Sequence, residues 1–132
     1  MENNLDRFLF KVFNHDTNKI EDGSFFICNE TGNLYEPIID WDLHIEAVDF
    51  KFTILQSTGL KDKNGTIIFE GDVLKIPTGY GFGNIKNVVV AWEDGCFGFQ
   101  GINFSEFKTD TEIELFEIIG NRFQNPELLE KQ

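Results

Sequence analysis

The sequence predicts a mainly β protein, a β-rich α+β fold with a small SH3-like barrel or bent antiparallel sheet in its C-terminal part. Three observations lead there. Two dipeptides suited to tight hairpins, Asn64-Gly65 and Asp94-Gly95, each lie between apolar runs. About five short strand-like runs follow one another from residue 54 onward, a number and spacing that suit a small barrel. One helix-start signal, Asn125-Pro126-Glu127, stands near the end and predicts a short C-terminal helix. No repeat, low-complexity tract or linker-like segment divides residues 1–132, so a single domain is expected. Residues 1–53 would form an N-terminal β subdomain packed on a barrel-like part over residues 54–129.

The elements follow in order. Arg7 to Phe13 alternates Phe8, Phe10 and Val12 against Leu9, Lys11 and Phe13, a strand apolar on one face and partly so on the other. Asn14 to Lys19 is polar and turn-like. Ser24 to Cys28 is a short apolar strand before the turn signal Thr31-Gly32-Asn33, and together these runs predict a hairpin or meander. Between Trp41 and Phe52 two periods compete. Trp41, Leu43 and Ile45 alternate with Asp42, His44 and Glu46 as in a strand, while Trp41, Ile45, Val48 and Phe52 also make a helical stripe. Strands are preferred, with a bend near Glu46 and Ala47 to restore the phase at Val48, and a helix over residues 38–48 is the alternative. Ile54-Leu55-Gln56 then leads through Asn64-Gly65 to Thr66–Phe69. Val73–Ile76 is a further strand that Pro77 ends by lacking an amide donor. Val88–Trp92 and Cys96–Phe99 flank Asp94-Gly95, and Ile113 to Ile119 reads as the last strand.

Composition bounds the function. Hydrophobic residues make up 41% and charged residues 26% of the chain, close to globular averages. A chain of this length buries roughly two thirds of its unfolded surface without a metal or disulfide staple. Fifteen phenylalanines are more than a small core encloses, which predicts that some line an interface. The net charge is -12, from 23 acidic and 11 basic residues, and this sign repels phosphate backbones, so direct nucleic-acid binding is disfavoured. The first residues lack the basic and apolar stretches of a signal peptide or membrane span, and the host cytoplasm is the expected location. Cys28 and Cys96 lack a CxxC or a histidine at metal spacing and are expected as buried thiols rather than a disulfide.

Four constellations bear on chemistry. Asp40, Asp42, His44 and Glu46 recur at every second position, and Asp42, His44 and Glu46 form the candidate metal face. Same-face neighbours on a strand stand about 7 Å apart, so two could chelate one ion but four in a row could not, and the plainer reading is a solvated strand face. Gly79-Tyr80-Gly81-Phe82-Gly83 misses the spacing of a phosphate loop. It reads as a loop tip, with Tyr80 and Phe82 as candidate partner contacts. His15, His44, Cys28, Cys96, Ser24, Ser57 and Ser105 are the available nucleophiles and bases, and none sits in a recognisable catalytic context, so no catalytic residue and no cofactor is assigned. The acidic runs could mimic nucleic acid toward a basic host protein, or serve only for solubility.

Three blocks carry a resemblance. Gln56-Ser57-Thr58-Gly59-Leu60-Lys61-Asp62-Lys63-Asn64-Gly65, then Glu70-Gly71-Asp72, then Ile119-Gly120-Asn121 closing on Asn125-Pro126-Glu127-Leu128-Leu129, resemble the signature segments of the YopX family in the same order. The likeness is close over residues 54–129 and looser before. It implies a phage or prophage origin and a β-rich fold, and brings no catalytic or binding residues with it. The shared glycines sit where turns need a permissive backbone, so the blocks look architectural. The function expected is that of a non-enzymatic interaction or self-assembling module, a homo-oligomer or binder of a host or phage protein. An acidic decoy for a nucleic-acid-binding protein and a metal-dependent enzyme on the Asp42/His44/Glu46 face are the alternatives.

Overall fold

The computed structural model describes residues 9–21, 25–27, 33–37, 44–46, 51–77, 86–93, 96–99, 102–103 and 113–129. These are mostly antiparallel strands with a single short 3-10 helix, as the sequence predicts. The chain divides into two compact units, one spanning Lys11–Ile54 and one that joins Leu9 and Phe10 to Leu55 and the residues after it.

In the first unit β1 (Phe10–Asn14) turns through His15–Asn18 into β2 (Lys19–Ile20), pairing Phe13 with Ile20 and Asn14 with Lys19. Asn14 makes this turn. Its buried side-chain oxygen accepts the amides of Asp16 at 2.9 Å and Thr17 at 3.3 Å, and its Nδ2 donates to Glu21 at 2.6 Å. This is the Asx geometry that lets a short polar run reverse the chain. The hairpin partner of β1 is therefore Lys19–Ile20 and not the Ser24–Cys28 run. Instead β3 (Phe26–Ile27) pairs with β4 (Leu34–Pro37), which pairs in turn with β5 (His44–Glu46). Residues 44–46 are thus strand, as preferred, and the helical alternative does not hold there. The other side of β1 is bonded to β6 (Phe52–Lys61). Val12, Phe13, Leu34 and Phe52 are buried, and the Phe25 ring meets Phe52 edge-on at 5.6 Å.

In the second unit the latter part of β6 pairs with β7 (Ile67–Phe69) across an irregular register between Ser57 and Lys61. A five-stranded antiparallel sheet follows, in the order β11-β10-β9-β8-β12, from β8 (Asp72–Lys75), β9 (Asn87–Glu93), β10 (Cys96–Phe99), β11 (Ile102–Asn103) and β12 (Glu117–Asn121). Ile118, Leu74 and Val88 stand in register across β12, β8 and β9, and Val90 faces Phe99 across β9 and β10. Leu74, Val88, Val90 and Phe99 from this row form the core with Ile68, Ile76, Ile113 and Phe116, and Ile118 packs against it. Phe99 and Phe116 stack at 5.1 Å. Val73 and Val89, paired on the opposite face, are buried too, which explains why the central strands read as unbroken apolar runs.

Two boundaries differ from expectation. The last strand starts at Glu117, because Ile113 is helical and Glu114 and Leu115 turn, with the Phe116 amide donating to the Ile113 carbonyl. Ile113 and Phe116, three positions apart, both enter the core, a helical-turn spacing that alternation could not suggest. The C-terminal helix is a single 3-10 turn, Pro126–Leu129. Asn125 turns its side-chain oxygen back to the Asn121 amide at 3.2 Å in place of a forward N-cap.

Candidate functional site

Six polar side chains of the three signature blocks, Ser57, Thr58, Asp62, Asp72, Asn121 and Asn125, bond backbone groups. Ser57 Oγ accepts the Gly59 amide at 3.0 Å, and Thr58 Oγ1 donates to the Ile68 carbonyl at 2.8 Å. These bonds hold the irregularity in β6 where Gly59 takes a φ of 78°. Asp62 is buried. Its Oδ1 accepts the amides of Asn64 and Thr66, each at 2.9 Å, and its Oδ2 accepts that of Ile118 at 3.0 Å. The carboxylate thereby fixes the Asn64-Gly65 turn and ties it to β12. Asp72 Oδ2 accepts the Phe69 amide at 2.8 Å across the Glu70-Gly71 turn. The Gly71 carbonyl receives the Arg122 amide, and the Gly71 amide donates to Val90.

The closing block is locked in the same way. Asn121 Oδ1 accepts the amides of Phe123 at 3.1 Å and Gln124 at 2.8 Å, and Asn87 Nδ2 reaches the Leu128 carbonyl at 2.8 Å. Gly120 is required by space: a Cβ there would lie 2.5 Å from Asn125 Oδ1. No buried side-chain nitrogen or oxygen among the described residues lacks a partner. The architectural reading of these blocks thus has a bond-by-bond basis, and their acceptors serve turns.

The sites expected from sequence fall differently. Asp40, Asp42, Tyr80, Phe82 and the Gly79–Gly83 loop lie outside the described residues, as do Cys28, Ser24 and Ser105. His44 and Glu46 belong to β5, their backbones paired with Pro37 and Tyr35. Among the described residues no three His, Cys, Asp or Glu side chains are grouped to hold a metal ion. His15 is exposed, bonded through Nε2 to Thr53 Oγ1 at 2.6 Å and packed edge-on against Phe13 at 4.9 Å. Among the described residues no helix is long and apolar enough to cross a membrane.

The feature that sequence reading passed over is at the turn end of the β9–β10 hairpin. Val88 and Val90 point into the core from β9, and Trp92 is next on the same strand face by the two-residue period of a strand. Trp92 is nevertheless 51% exposed. Its cross-strand partner is Phe97, whose ring meets it edge-on at 4.7 Å. The apolar row of the core runs out into solvent here and ends in an aromatic pair. A signal for it existed: a two-residue Asp94-Gly95 loop places Glu93 opposite Cys96, and hence Trp92 opposite Phe97. Among the described residues Phe13, Phe52, Phe69, Phe99 and Phe116 are buried, while Phe10, Phe25, Phe97 and Phe123 are half-buried.

Comparisons with known proteins bear on family and fold. A family model described as YopX protein matches residues 9–130. The crystal structure of protein EF1440 from Enterococcus faecalis is similar with a TM-score of 0.62 and 24% identity, covering 92% of this chain and 96% of that one. The X-ray structure of protein yopX from Bacillus subtilis gives 0.60 and 18%, over 94% and 99% of the two chains. At these identities the likeness to the two structures is one of fold. No curated protein matches the chain.

Proposed function

The chain belongs to the YopX family, and on that premise we propose that it is a non-enzymatic accessory module that works by binding another protein. The observation that carries this reading is the Trp92–Phe97 pair. A tryptophan half in water, braced by a second ring across a hairpin, is the kind of side chain that dominates binding energy when a partner covers it. A second support is that Ser57, Asp62, Asp72 and Asn121 of the signature blocks bond the backbone of turns, which suits those blocks to building a scaffold. The phage or prophage origin implied by the resemblance belongs to the same proposal.

The test is site-specific photo-crosslinking in bacterial cells, with a photoreactive amino acid at position 92 and, as a control, at the exposed Lys75. A discrete crosslinked species from position 92, absent from position 75, supports an interaction module. Its mass states whether the partner is a second copy or a different protein. No discrete species, or the same smear from both positions, would remove the reading.

A further inference from the structure

Among the described residues β12 ends its sheet, with β8 on one side only, and the direction of its backbone groups follows from the ladder. The Ile76 amide donates to Lys86 at the start of β9, so by the two-residue period of a strand Leu74 also turns its amide to β9 and away from β12. Ile118 stands opposite Leu74, and its own amide is therefore directed away from β8. Asn121, across the bulge between Ile118 and Gly120, is directed the same way. Outward amides of this kind are what an outermost strand uses to recruit another. Here both are taken. Asp62 Oδ2 accepts the Ile118 amide at 3.0 Å and Asn125 Oδ1 accepts the Asn121 amide at 3.2 Å. Asn125 also donates its own amide to the Asn121 carbonyl, and Lys63 donates to the Phe116 carbonyl just before the strand. All five residues of β12 keep partial exposure.

A strand able to replace these side chains must match β12 in spacing. In a second copy laid antiparallel, with its bulge against this one, Ile118 of each copy stands opposite Asn121 of the other, so the outward groups bond in pairs. The same register sets Glu117 of each copy against Arg122 of the other, opposite charges at both ends of the pairing. The fit of the strand to itself identifies the occupant as a second copy of this chain. We propose that β12 is a latent self-pairing edge, which Asp62 and Asn125 hold closed in the folded chain.

The experiment uses the full chain at about 300 mM salt, where the repulsion between copies of net charge -12 is screened. Sedimentation velocity from about 5 to about 500 μM gives the mass, and hydrogen-deuterium exchange over the same range gives the place. In the parent, protection of residues 117–121 is expected to be the same at every concentration. Asn125→Ala keeps the backbone bonds of residue 125 to Asn121 and Leu128. It is expected to associate about tenfold or more tightly than the parent and to gain protection at 117–121 as concentration rises. Loosening alone would do the opposite, speeding exchange at every concentration. The double variant Asp62→Ala/Asn125→Ala should associate more tightly still, while Asn125→Asp, which retains the oxygen, should match the parent. Trp92→Ser added to Asn125→Ala should leave the gain intact, which separates this edge from the contact proposed at Trp92.

Protection at 117–121 that rises with concentration in the parent would show the edge open and overturn the inference. A folded Asn125→Ala chain with the parent's mass at every concentration would overturn it too, as would new protection lying outside 117–121. Where circular dichroism shows the double variant unfolded, Asn125→Ala decides, and the closed state is read on the parent whichever variants fold.

Discussion

Removing one carboxylate should unlatch a turn and a strand of the second unit together. Asp62 is 4% exposed and accepts three backbone amides, those of Asn64, Thr66 and Ile118. Asn64 and Thr66 are exposed, so in Asp62→Ala their amides pass to water at about 0.5–1 kcal/mol each. The Ile118 amide lies in partly buried sheet and loses a charged acceptor, which costs about 2–3 kcal/mol. The sum is about 3–5 kcal/mol for Asp62→Ala. In Asp62→Asn the shape and one oxygen remain, but an NH2 group now faces an N–H, and flipping the amide only moves the conflict to the turn. That variant should lose about 2–3 kcal/mol.

Urea unfolding followed by far-UV circular dichroism reads this directly. With a slope of about 1.5 kcal/mol per molar, the midpoint should fall by about 2–3 M for Asp62→Ala and about 1.5 M for Asp62→Asn. Midpoints within about 0.3 M of the parent, with the slope unchanged, would refute the claim that this carboxylate organises the β6–β7 turn and its tie to β12.

Three further outcomes follow from the same bonds and spaces. Gly120→Ala forces a methyl against Asn125 and Leu128, both closer than 3.0 Å to the new Cβ, and should cost about 1–3 kcal/mol in thermal unfolding. Gly65→Ala meets open space but a φ of 80°, so it should cost about 1–2 kcal/mol from backbone strain alone, and Gly65→Asn less, in the same assay. Glu117→Gln removes the 2.9 Å ion pair with Lys63, whose partners are 50% and 35% exposed. It should change stability by less than about 1 kcal/mol, an effect that added salt shrinks further.

How much of the fold was legible depended on how local its cause is. The hairpins marked by Asn64-Gly65 and Asp94-Gly95 have a short local signal, and strands pair on either side of both, Lys61 with Ile67 and Glu93 with Cys96. β2 escaped because two residues, Lys19 and Ile20, carry no period, and what makes them a strand is the Asn14 side chain that turns the chain toward them. The start of β12 was misplaced because Ile113, Leu115 and Ile119 alternate well enough on paper, while a core that takes Ile113 and Phe116 together needs a turn. The candidate contact was half legible. The register that sets Trp92 against Phe97 could be counted from the loop, but Val88-Val89-Val90-Ala91-Trp92 is apolar throughout, and nothing in it marks where the buried part stops. Asp42, Tyr80 and Phe82 fall outside the described residues, so the structure does not bear on them.

The position of β12 bears on how the chain reaches its fold. β12 covers the free side of β8, and the bonds that hold it in place are far apart along the chain: Asp62 to Ile118 spans 56 residues and Asn87 to Leu128 spans 41. As the polypeptide leaves the ribosome at about 5–20 residues per second, β8 and β9 can pair well before Glu117–Asn121 has been made. During that interval β8, with Val73 and Leu74, presents an open sheet edge of the sort that recruits strands from other chains. Contacts of such long separation close slowly. The vulnerable period in the life of this protein is therefore its synthesis, and it ends when β12 is laid down.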